Sequence, residues 1–128
     1  MEQKRAFISF DYDHDSFLKE ALIGQSKNEN SPFAISDWSI KEESSTWKKE
    51  AAERIKKSDF VIVICGENTD CAKGVSIELE LTQQLEKPYF LLRGHSDKTC
   101  RKPTTAKPTD IMYAWTWDNL KLLVDGKR

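Results

Sequence analysis

Three short runs of almost unbroken apolar residues punctuate an otherwise polar chain: RAFISF at 5–10, DFVIVIC at 59–65 and PYFLL at 88–92. Apolar runs of this length without polar alternation predict strands covered on both faces, as in a parallel sheet. Two weaker segments, FAISDW at 33–38 and IMYAW at 111–115, complete a set of five. Between the strands the apolar period becomes helical. Phe17, Leu18, Ala21 and Leu22 predict a first helix, with Asp15 placed to cap it and Gly24 plus the polar run QSKNENSP placed to end it. Beyond the polar loop SIKEESS, Trp47, Ala51 and Ile55 share one stripe of a second helix. A third carries GVSIELEL (74–81) and ends near Lys87, and WDNLKLLV predicts a terminal helix with Asp118 near its start.

Strands and helices alternate until a long loop precedes the last strand. That order predicts a three-layer α/β fold in one domain over 1–128, its five-stranded parallel sheet in the flavodoxin-like order 2-1-3-4-5. Such sheets bind ligands beyond the carboxyl ends of their strands, near the point where the winding reverses. Here the loops after Phe10, Trp38, Cys65 and Leu92 gather at that edge.

One residue in the third helix breaks the pattern. At about 100° per residue, Val75, Ile77, Leu79, Leu81 and Leu85 span a wide apolar arc. Glu80 falls outside it, beside Ser76 and Gln83, but Glu78 falls inside, between Leu85 and Val75. Either Glu78 snorkels out at the rim to pair with a Lys or Arg, or it is a partly buried carboxylate facing the crevice. Enzymes use the second kind, because burial changes how tightly a carboxylate holds its proton.

Composition narrows the partners. Twenty Lys and Arg against 21 acids leave a net charge of −1, which gives no electrostatic case for nucleic acid or an anionic membrane. Hydrophobic residues make up 38% and charged residues 32%, polar for this length but enough for one core. The three cysteines, Cys65, Cys71 and Cys100, lack CxxC spacing, no signal-peptide pattern opens the chain, and no apolar run reaches the roughly 20 residues of a membrane span. A reducing cytoplasm is the expected compartment.

Familiar sites are missing from the sequence. Neither GxGxxG nor GxxxxGK[ST] is present, no GxSxG elbow occurs, and His14 and His95 have no metal-ligand spacing around them, so no metal site is expected. The acids of FDYDHD alternate as in a calcium loop, but Ser16 and Leu22 stand where that loop needs Gly and Glu. A phosphoacceptor receiver would need an Asp closing the third strand and a Lys closing the fifth; the chain has Cys65-Gly66-Glu67 and Trp115.

AFISFDYDHD after the first strand, a loop running to Trp47, then VIVICGENTDCAKGVSIELE and KPYFLL, together resemble a TIR-like domain of the Thoeris antiphage-defence type. The resemblance runs from Arg5 to about Leu123, carried by FISF, by Cys65, Gly66 and Thr69 of C-G-x-x-T, and by Ile77-Glu78-Leu79. It implies that Glu78 matches the catalytic glutamate that cleaves the nicotinamide–ribose bond of NAD, where a carboxylate stabilises an oxocarbenium-like sugar. It further implies NAD as substrate rather than cofactor, an ADP-ribose-type product, cyclic if an internal group captures the sugar, assembly into a homo-oligomer on activation, and an effector protein that reads the product. Many TIR domains carry Trp four residues before the glutamate; here Gly74 stands there, with Trp47 and Trp38 available to fill the gap.

Four further residues are candidate substrate contacts. Phe10 and Asp11 close the first strand and line the crevice, or serve as core and turn residues. Trp38 stacks on adenine or nicotinamide, or is partly core; Trp47 reads as a packing residue or a wall of the site. The locally basic segment 93–108 meets a pyrophosphate or a protein partner, or is a solvated, mobile loop. A non-catalytic module working by self-association or partner docking shares this fold. A buried, crevice-facing Glu78 with aromatics nearby favours the enzyme; a Glu78 paired to a surface Lys, with an apolar patch elsewhere, favours the module.

Overall fold

A computed structural model describes residues 4–39 and 46–126. The apolar runs form β1 (Lys4–Ser9), β2 (Phe33–Trp38), β3 (Phe60–Cys65), β4 (Tyr89–Arg93) and β5 (Met112–Ala114). Between and after them lie α1 (Ser16–Ser26), α2 (Trp47–Lys57), α3 (Lys73–Gln84) and α4 (Trp117–Val124). The strands pair in the order β2-β1-β3-β4-β5, and every pairing is parallel. The expected winding is therefore the observed one.

The two-residue side-chain period of the strands separates two cores. Ala6, Ile8, Ile62, Ile64 and Leu92 face α1 and α4, meeting Leu18, Leu22, Leu120, Leu123 and Val124. Phe7, Val61, Val63 and Leu91 face α2 and α3, meeting Ala51, Ile55, Val75 and Leu79. All six residues of β3 are buried, which is why DFVIVIC shows no alternation of polarity.

Several boundaries differ from the sequence reading. Helix α1 runs through Gly24 to Ser26, because a glycine with open space around it weakens a helix without blocking it. Asp15 occupies the N-cap position, yet its side chain makes no capping bond and turns inward instead. Strand β5 keeps only three residues of IMYAW. Thr116 caps α4 by accepting from the Asn119 backbone N–H at 3.1 Å.

Helix α3 stops at Gln84 in a Schellman arrangement. The Lys87 N–H reaches the Thr82 carbonyl, the Glu86 N–H reaches that of Gln83, and Glu86 itself is left-handed with φ 56°. That conformation costs a residue with a Cβ about 1 kcal/mol. Glu86→Gly is thus expected to stabilise the protein by about 1 kcal/mol, read as a higher urea midpoint with an unchanged slope.

The segment 93–108 is fastened to α3 at Thr104 and Thr105, while most of its other residues stay exposed. Thr104 bonds the Ser76 hydroxyl through both its N–H (3.2 Å) and its own hydroxyl (3.0 Å). Thr105 donates to the Ser76 carbonyl at 2.7 Å and accepts from Gln83 at 3.0 Å. Pro103 is buried, and Cys100 and Ala106 pack on the core beneath α2 and α3. Of its basic residues, Arg93, Lys98, Arg101 and Lys107 are exposed, while the Lys102 ammonium donates to the Asp110 carbonyl.

Candidate active site

Glu78 is 1% exposed, on the face of α3 that meets the sheet. Two serine hydroxyls donate to one of its oxygens. Ser9, the last residue of β1, donates to Glu78 Oε1 at 2.7 Å. Ser39, just past β2, donates to the same oxygen at 2.5 Å. The Phe10 N–H in turn donates to Ser39 Oγ at 3.1 Å, orienting that hydroxyl toward the carboxylate. Hydrogen bonds to a charged acceptor are worth about 1.5–3 kcal/mol each, enough to hold the side chain in one place.

The backbone explains how two serines from different strands converge. Ser9 follows Phe7 by two residues and so points to the α3 side of the sheet. The β1–β2 register shifts between Ala6 and Phe7, after which Ile8 pairs with Trp38. The Ser39 N–H then bonds the Ile8 carbonyl at 2.9 Å, setting Ser39 beside Ser9.

Glu78 borders a cavity of about 360 Å³ at the carboxyl edge of the sheet. Phe10, Asp11, Trp47 and Gly74 share its wall, together with Ser39 and His14. Phe10 and Trp47 are both buried aromatics, and Gly74 shares its cavity with this indole from α2. Trp38 is not among the lining residues; it is 38% exposed, with the Lys19 ammonium 5.1 Å from its ring centroid. Three of the four expected contacts are therefore brought together with Glu78, and Trp38 stands apart from them.

Ser9, Ser39 and His14 escaped the sequence reading. The signal for Ser9 was the single hydroxyl interrupting the apolar run FISF. Nothing in the sequence marks Ser39. His14 lies three residues past Asp11, a spacing that lets its Nδ1 meet Asp11 Oδ2 at 2.7 Å.

Two other buried groups are perturbed. Burial pushes the Cys65 thiol up to about 12, so no thiolate nucleophile stands at the end of β3. Burial, and then the Asp11 charge, raise the pKa of Asp15 above 3.8. The folded chain thus holds the Asp15 proton more tightly than the unfolded one, and the associated stability is lost as pH rises. Wild type is expected to lose stability relative to Asp15→Asn as pH rises from about 4 through the raised folded pKa, measured as diverging urea midpoints.

No helix among the described residues is long and apolar enough to cross a membrane. The family model of the TIR-like domain of the Thoeris protein ThsB matches residues 7–99. No curated protein matches the chain.

Proposed function

This chain belongs to the TIR-like domain family of the Thoeris protein ThsB, a family of antiphage defence, and from that premise we propose that it cleaves the nicotinamide–ribose bond of NAD. One observation carries the reading: a buried carboxylate, held by two serine hydroxyls, borders a cavity with two buried aromatic walls. An enzyme that must stabilise a positive sugar needs such a fixed negative oxygen in a site that limits water.

As C1′–N cleavage proceeds, the bonding electrons return to the pyridinium nitrogen and nicotinamide leaves neutral. Positive charge then develops at C1′ and the ring oxygen, where Glu78 opposes it. Ser9 and Ser39 fix the carboxylate before the charge appears, so little reorganisation is needed during reaction. Phe10 and Trp47 offer apolar faces for the planar base, and Asp11 stands at the same wall. The product is ADP-ribose when water captures the sugar, and a cyclic form when a group of the substrate does. In this reading the product is a signal for a separate effector, and activity rises with homo-oligomeric assembly.

Incubating the purified chain with NAD at high protein concentration, with nicotinamide followed by chromatography and mass detection, tests the proposal. Nicotinamide release supports it and identifies the product in the same run. No release, even in lysate of phage-infected cells expressing the chain, would overturn it in favour of a non-catalytic interaction module.

A further inference from the structure

His14 borders the same cavity as Glu78, yet the cleavage step leaves it without a task. Departing nicotinamide is neutral and needs no acid. The second half of the reaction does need a base, because an attacking O–H must lose its proton. We propose that His14, held by Asp11, is the general base that activates the oxygen nucleophile after nicotinamide has left.

The geometry follows from the turn after β1. Asp11 is 7% exposed, its carbonyl accepts from the His14 and Asp15 N–H groups, and its Oδ1 accepts from the Asp13 N–H at 3.2 Å. These bonds tie down both the backbone and the carboxylate. Its Oδ2 accepts from His14 Nδ1 at 2.7 Å, so Nδ1 carries the hydrogen and Nε2 of the neutral ring is the acceptor. Among the described residues no hydrogen bond engages Nε2. The ring is mostly exposed at the cavity, where a ligand or water can reach it. The Asp11 carboxylate, first as hydrogen-bond partner and then as charge, raises the His14 pKa above 6.5, with the charges of Asp13 and Asp15 adding to it. A carboxylate-backed imidazole is thus a stronger base than a free one.

The step balances. The oxygen of water, or of a substrate hydroxyl, forms the new bond to C1′ and closes the oxocarbenium. Its proton passes to Nε2, giving an imidazolium paired with the Asp11 carboxylate, and later returns to solvent. The sum for water is NAD⁺ plus H₂O giving nicotinamide, ADP-ribose and H⁺. Positioning belongs to Asp11, proton transfer to His14.

This inference rests on the proposed NAD cleavage, and one experiment separates the two. Full-length wild type, His14→Gln and His14→Ala are assayed for product formation and for exchange of isotope-labelled nicotinamide into NAD. Exchange needs cleavage and its reversal but no base. Loss of a general base is expected to slow product formation about 100-fold, while exchange falls far less. Added imidazole should restore product formation in His14→Ala, an effect that a purely structural role of His14 would not produce. The proposal is overturned if exchange and product formation fall together through KM, which makes His14 a binding contact. It is equally overturned if neither rate changes, or if imidazole restores nothing. Absence of both release and exchange in wild type defeats the NAD reading itself.

Discussion

Glu78→Gln is expected to lower nicotinamide release about 1,000-fold while leaving the fold intact. The substitution keeps the shape of the side chain and an oxygen able to accept from Ser9 and Ser39, the two hydroxyls that hold Glu78 Oε1. It removes the negative charge that opposes the developing sugar cation. A loss of this size corresponds to about 4 kcal/mol of transition-state stabilisation, the upper range for one preorganised electrostatic contact. The amide oxygen keeps both hydroxyl donors satisfied, so the variant should still unfold in a single cooperative urea transition. Circular dichroism with urea reads the fold, and nicotinamide chromatography reads the activity. Release unchanged in the variant would remove Glu78 from the chemistry.

Gly66→Ala is expected to cost about 1–3 kcal/mol of stability, the range for overpacking a tight site. A Cβ at Gly66 would stand 2.4 Å from Asp15 Oδ2 and 2.8 Å from its Cγ. The carboxylate cannot swing away freely. Asp15 is 3% exposed, its carbonyl accepts from Leu18 and Lys19, and its N–H donates to Asp11. Around Gly66 the backbone is held as well, by the Thr69 hydroxyl on its N–H at 2.7 Å and by Arg101 on its carbonyl at 2.9 Å. Shortening Asp15 to Ala in the same chain should recover most of the loss. A double-mutant cycle on urea midpoints checks this: additive costs would mean that the two residues do not compete for space. Asp15 and His14 both donate their N–H groups to the Asp11 carbonyl, so the single variant should also slow any reaction that depends on His14.

The sequence by itself determined the winding and put Glu78 inside the apolar arc of its helix, and left open whether its carboxylate snorkels out or is buried. Unbroken apolar runs such as DFVIVIC can be satisfied only when helices cover both faces, and right-handed crossovers leave few ways to arrange them. The helical period put Glu78 between Leu85 and Val75, and packing of that face on the sheet buried the carboxylate. Phe10, Asp11 and Trp47 were legible as cavity residues because their strand end and helix start lie on the edge where such folds bind ligands.

Tertiary structure decided everything that depended on distant segments meeting. Ser9 and Ser39 reach Glu78 across sequence separations of 69 and 39 residues, and a lone serine carries no periodic signal to announce such a meeting. The register shift between β1 and β2 decided it, and no local propensity encodes that shift. Trp38, read from its strand end as a stacking or partly core residue, lies 38% exposed with Lys19 over its ring, outside the cavity lining. The basic segment after β4 was ambiguous because its charges say nothing about its hydroxyls, and Thr104 and Thr105 fasten it to α3. Asp15 had the identity and position of a helix cap, and burial against Gly66 turned it into something else. Periodicity reports which face of an element is buried; only the assembled fold fixes which polar groups meet beneath it.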